Sequence, residues 1–167
     1  MSRINDLIAE YCPNGVEYRE LAELVDYQQP SPYIVSSTNY DDSFSLPVLT
    51  AGQSFILGYS DDDQGIFYAS AERPVIIFDD FTTDSKIVDF PFKVKSSAMK
   101  ILHINTDIVL PKFAFYLMQA TEIDHDNHQR YWISTYSQEE IALPPLKEQE
   151  RILSVLEQYF KLLNCLL

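Results

Sequence analysis

Pro144-Pro145 divides this chain more sharply than any other pair of residues in it. Two consecutive prolines remove two backbone N–H donors, and each disfavours helix in the residue before it, so no helix or central strand continues through them. The 167-residue sequence therefore reads as a body, residues 1–143, followed by a short proline-led tail, residues 144–167. With 46% hydrophobic residues, 13% aromatics and only 4 glycines, the whole chain has the apolar material for one well-buried core, which excludes disordered and collagen-like chains.

In the tail, Ile152, Leu156, Tyr159, Leu163 and Leu166 are spaced four, three, four and three residues apart, with Leu153, Phe160 and Leu167 at sevenfold intervals beside them. That is the a/d rhythm of a coiled-coil seam. Some twenty helical residues at ~1.5 Å each span ~30 Å, too few heptads to stand alone and too apolar along two stripes to face water. The prolines are expected to direct this helix away from the body, where it pairs with a helix of another segment or chain. The plainer alternative is packing back on its own body.

The body mixes two periodicities. Ile4, Leu7, Ile8 and Tyr11 occupy one helical face, and Cys12-Pro13-Asn14-Gly15 supplies the stop. Val16 to Leu21 then leads into a polar loop from Gln28 to Ser37. Short β-rich runs follow at 47–50, 54–59, 65–69, 74–78, 86–88, 92–95 and 100–104, separated by acidic or Gly/Ser/Pro turns. From Lys112 the dense run Phe113, Phe115, Tyr116, Leu117 and Met118 predicts a buried helix, and Ser137 with Glu140 reads as a capping box. The expected class is α+β: a compact β-rich body with packed helices, then a C-terminal coiled-coil-forming helix.

A formal net charge of -13 argues against loose electrostatic binding to nucleic acid, which needs a basic surface. Its distribution is uneven. Residues 1–85 carry 3 basic and 15 acidic side chains, residues 86–112 carry 5 and 2, and residues 113–167 carry 4 and 8. The one positive segment holds Lys86, Lys93, Lys95, Lys100 and Lys112, interleaved with Phe90, Phe92, Ser96 and Ser97, types able to touch both phosphates and base edges. The plainer reading is a strand pair with solvated lysines. The opening residues lack the basic start and apolar core of a secretory signal, and no run approaches 18 apolar residues. Cys12 and Cys165 are too few and too far apart for a disulfide scaffold. A soluble protein of a reducing cytoplasm is expected.

Catalytic constellations are weak. Asp61, Asp63 and Glu72 match three positions of a calcium loop, but Ile66 stands where glycine is required. Asp84-Ser85-Lys86, with Asp79 and Asp80 upstream, has an acid-x-lysine spacing used in metal-dependent nucleases. His125 and His128 beside Glu122, Asp124 and Asp126 could gather a divalent metal, or simply form an exposed acidic loop, and His103 fits a satisfied strand position. There is no glycine-rich phosphate loop and no nucleophile elbow. The chain is expected to be no enzyme, with no catalytic residue, no metal and no cofactor of its own.

Two stretches carry a family likeness. Leu143-Pro144-Pro145-Leu146-Lys147-Glu148-Gln149-Glu150-Arg151-Ile152, continued by Leu156-Glu157-Gln158-Tyr159-Phe160-Lys161-Leu162-Leu163, resembles the proline pair and helix of type I restriction-modification specificity (S) subunits. Ile4-Asn5-Asp6-Leu7-Ile8, Tyr11-Cys12-Pro13-Asn14-Gly15-Val16-Glu17-Tyr18 and Leu21-Ala22-Glu23-Leu24 resemble the start of a target recognition domain in that family. The resemblance implies a target recognition domain at 1–143 that reads one half of a split double-stranded DNA site. It implies a spacer and dimerisation helix at 144–167. Partner methyltransferase (M) and restriction (R) subunits would carry out adenine methylation and restriction, with S-adenosylmethionine and ATP bound there. Family members usually carry two such domains and two helices, whereas this sequence has one of each, which leaves open a half-subunit, a truncated product or a fragment.

The resemblance transfers no contact residue, so the candidates rest on side-chain chemistry. The segment 79–86, with Thr82, Thr83 and Lys86, and the segment 92–98, with Lys93, Lys95, Ser96 and Ser97, combine charge, hydroxyls and aromatics. Gln53 and Ser54, then Gln129, Arg130 and Tyr131, come second, because glutamine can pair with adenine and arginine with guanine. The helix-partner interface is expected at Ile152, Leu153, Leu156, Tyr159, Phe160, Leu163 and Leu166. The competing classes are an acidic DNA mimic or structural interaction protein and, further off, a metal-dependent nuclease.

Overall fold

The computed structural model describes residues 3–52, 54–123 and 130–164, with side chains through Leu162. Helix α1 (Arg3–Tyr11) buries Ile4, Leu7 and Ile8, the face its spacing predicts. Gly15, at φ +93, turns the chain where a side chain would be strained. Strand β1 (Glu17–Glu20) then runs antiparallel to β9 (Glu140–Leu143), from Glu17 opposite Leu143 to Glu20 opposite Glu140. The short helix α2 (Leu21–Leu24) is closed by reciprocal Glu20–Glu23 capping, and β2 (Val25–Gln28) follows.

Two further sheets form the β-rich centre. One has four strands in the order β2, β8 (Met99–Ile104), β5 (Val75–Asp79), β6 (Ser85–Val88), all antiparallel. The other has the order β4 (Ile56–Ser60), β3 (Leu46–Leu49), β7 (Lys93–Val94), and its β3–β7 pair is parallel. Strand β5 is buried on both faces, so its alternating side chains divide between two cores. Ile76 and Phe78 join Leu102 and the helices; Val75 and Ile77 join Ile101, Leu49, Phe67, Phe92 and Val94.

Helix α3 (Pro111–Ala120) buries Phe113, Ala114, Leu117 and Met118, as its apolar run predicts. The run at 65–69 makes only a bridge, Phe67 with Phe92, after Gly65 turns the chain at φ +58. The capping box at Ser137 does not form. Tyr136–Gln138 is a single 3-10 turn after α4 (Tyr131–Ser134), and Glu140 opens β9, drawn into the ladder by β1.

Helix α5 (Leu146–Asn164) starts directly after the prolines, with the Pro145 carbonyl accepting the N–H groups of Glu148 and Gln149. The prolines do not send it outward. Ile152 and Leu156 are 0% and 2% exposed in the core that holds Ile4, Leu7 and Phe113, so these two cannot meet a partner chain as expected. Gln149 explains the angle. Its buried amide accepts from Leu110 N (2.9 Å) and donates to the carbonyls of Ile108 (2.9 Å) and Pro144 (2.8 Å), fastening the helix start to the β8–α3 loop. Beyond Gln158 the helix lies at the rim of the body: Tyr159, Phe160 and Leu162 are exposed, yet Phe160 stacks on Tyr116 of α3 and the Arg3 guanidinium of α1 lies over the Tyr159 ring. Leu153 is half-buried; the Leu163 side chain and Leu166 lie outside the described residues.

Candidate nucleic-acid interface

Strand directions gather four loops at one edge of the body. Because β3 and β7 are parallel, both leave their sheet at the same end, and residues 50–52 with Ser54 and Phe55 emerge beside the turn 95–98. Lys95 N donates to Leu49 O at 3.2 Å across that junction. Strand β5 ends at Asp79 opposite Met99, where β8 begins, so the hairpin tip 80–84 adjoins the 95–98 turn. Asp80 N donates to Ala98 O at 3.0 Å. Tyr131 N donates to Asp80 O at 2.9 Å, which brings in Arg130 and the start of α4.

Asp80 organises this edge. Its carboxylate, 2% exposed, lies 3.1 Å from the ammonium of Lys100, itself 1% exposed. It also accepts the Trp132 N–H at 2.9 Å and faces Arg130 Nη1 at 3.4 Å. The Arg130 guanidinium carbon sits 5.5 Å from the Phe81 ring centroid, a cation–π arrangement. The tip has its own framework. Asp79 Oδ1 accepts from the N–H groups of Phe81 (2.9 Å) and Thr82 (3.0 Å), and the Thr82 hydroxyl donates to Asp84 at 3.1 Å. Thr83, at φ +60, holds a left-handed conformation that a β-branched residue adopts only at a cost.

The sequence candidates divide clearly. Ser54, Thr82, Lys95, Ser96, Ser97 and Arg130 are exposed along this edge, while Thr83 and Lys86 are half-buried at its flank. Tyr131 is 2% exposed, a buried ring whose main-chain N–H ties the edge to Asp80. Lys93 is also internal. Its ammonium pairs with Asp62 at 3.0 Å and donates to the Gln64 carbonyl, so it is a strut between loops and no phosphate contact. Within the positive segment, Lys100 is likewise internal and Lys112 pairs with Glu157 of α5 at 2.6 Å. Gln53 and Gln129 lie outside the described residues, as do His125, His128, Asp124 and Asp126.

The nuclease spacing finds no convergent site. Asp80 faces inward to Lys100, while Asp79 and Asp84 are bound into the tip. Among the described residues no group of three His, Cys, Asp or Glu could hold a metal ion. No helix among them is long and apolar enough to cross a membrane. The organising role of Asp80 escaped the sequence, where it stands in an acidic run with its partner twenty residues away.

Asp62 gives a pH test of the second strut. Hydrogen bonds from Ser36 N (3.0 Å) and Ser36 Oγ (2.7 Å), then from Lys93, hold its carboxyl well below the usual carboxylate range. A depressed folded value stabilises above the unfolded pKa, about 3.9, and that contribution fades as pH falls toward the folded value. The melting-temperature deficit of D62N against the parent chain is therefore expected to be widest near neutrality and to close in acid below about pH 4. A deficit independent of pH would contradict this assignment.

Residues 13–166 match the family described as the type I restriction modification DNA specificity domain. Over 152 residues the chain is 43% identical to the type I restriction enzyme EcoR124I/EcoR124II specificity subunit of Escherichia coli, an alignment covering 89% of this chain and 37% of that protein. The fold is similar to the HsdS subunit from Thermoanaerobacter tengcongensis, with TM-score 0.62 at 17% identity over 98% of this chain and 44% of that one. It is also similar to the type I restriction-modification S subunit from M. genitalium, with TM-score 0.64 at 10% identity over 95% and 46%. The chain spans less than half the length of each.

Proposed function

The chain belongs to the type I restriction modification DNA specificity family, and from that premise we propose that its gathered loop edge reads one half of a split duplex DNA site. The observation that carries this reading is the convergence of residues 50–52, Ser54 and Phe55 with the turns 80–84 and 95–98 and with Arg130. Hydroxyls of Ser54, Thr82, Ser96 and Ser97 and the charges of Lys95 and Arg130 are the groups that contact base edges and phosphates. The edge is close to neutral: four cations, Lys86, Lys95, Lys100 and Arg130, meet three anions, Asp79, Asp80 and Asp84, in a chain of net charge -13.

Little affinity for bare duplex follows from that balance, so useful binding arises when partner subunits enclose the DNA and supply phosphate contacts. The partners are a methyltransferase subunit, which would methylate adenine with S-adenosylmethionine, and an ATP-driven restriction subunit. This chain carries no reaction and works in the cytoplasm where the DNA lies. The exposed end of α5, with Tyr159, Phe160 and Leu162, supports pairing with a helix of a partner or a second copy.

A salt-dependent gel-shift experiment with and without the methyltransferase subunit tests the reading. Duplex binding gained on assembly, and weakening steeply with salt, is expected. Displacement of duplex from the methyltransferase would instead identify a DNA mimic and overturn it.

A further inference from the structure

Within the loop edge, Arg130 differs from Lys95 in how firmly it is held. Its backbone is anchored through the residues that follow it: Tyr131 N and Trp132 N bond to Asp80 O and Oδ1, each at 2.9 Å, and the Ser134 hydroxyl donates to Arg130 O at 2.7 Å. Its side chain lies over the Phe81 ring with Nη1 toward Asp80, yet remains 52% exposed. A guanidinium carries five N–H donors in a rigid fork, and one edge of such a fork matches O6 and N7 of guanine. Holding the other side in place lowers the ordering cost of contact.

Resting on the DNA-reading function above, we propose that Arg130 is the residue that specifies a guanine in the half-site, with Phe81 and Asp80 as the positioning residues that aim it. A lysine at this position would keep the charge and lose the planar fork. Asp80 is not orphaned by that change, because the Lys100 ammonium stays at 3.1 Å. The R130K chain is thus expected to fold like its parent.

The test is selection from a randomised duplex pool by the full chain assembled with its methyltransferase subunit, followed by sequencing of the bound fraction. The parent chain should enrich a motif with guanine at one position, preferred about ten- to a hundredfold over other bases. R130K should relax that single position toward parity and leave the rest of the motif intact. F81L, which removes the ring beneath the guanidinium, should relax the same position partially. A phosphate contact would lower recovery of all sequences alike, and that result, or an unchanged motif in R130K, overturns the inference while leaving the DNA-reading function standing. No enriched motif in the parent assembly would overturn both.

Discussion

A chain ending at Pro145 is expected to lose its body together with its tail. Ile152 and Leu156 fill the helical core, and truncating one such side chain to alanine alone costs about 2–5 kcal/mol. Removing α5 takes both, and with them the Gln149 amide that satisfies Leu110 N and two carbonyls. Those losses rival the whole stability of an ordinary domain, roughly 5–15 kcal/mol. A chain ending at Gln158 should keep a cooperative urea transition, since it loses only rim contacts such as Phe160 on Tyr116 and keeps Gln149, Ile152 and Leu156. Circular dichroism, urea denaturation and light scattering on the two truncations separate core from interface. A folded chain lacking all of α5 would show the helix to be an appendage.

The second large effect lies at Asp80. Replacing it with alanine leaves the Lys100 ammonium buried without a counter-charge and the Trp132 N–H without its acceptor, a loss of about 3–5 kcal/mol. Combining D80A with K100M removes the uncompensated charge, so the double variant should be more stable than D80A alone, as denaturation midpoints would report. If the double variant is the weaker of the two, Lys100 does not depend on Asp80. Either outcome bears on the loop edge, because Asp80 joins the hairpin tip, the 95–98 turn and α4.

The helices were legible because their information is local. One apolar face in α1 and one dense run in α3 leave few other solutions. Strands β1 and β9 were not. Glu-Tyr-Arg-Glu at 17–20 has no strand pattern of its own and becomes one by pairing with a segment some 120 residues away. The heptad rhythm of α5 marks a stripe needing cover, but the same stripe serves a partner helix and the chain's own core equally well. At the loop edge, strand order decided what composition could not. By composition the positive segment is a surface of lysines; in the fold Asp62 and Asp80 draw Lys93 and Lys100 inside. Arg130, a second choice by sequence, gained its importance from Phe81 and Asp80, neighbours only in space.

The β1–β9 ladder bears also on how this molecule comes into being. During synthesis Glu17–Glu20 must wait, unpaired, until Glu140–Leu143 has left the ribosome. Closing so long a loop comes after most local structure has formed, and topologies rich in such distant pairings fold slowly. In that interval the partner edge is open, and the charged side chains of Glu17, Arg19 and Glu20 are what keep it from pairing with another copy.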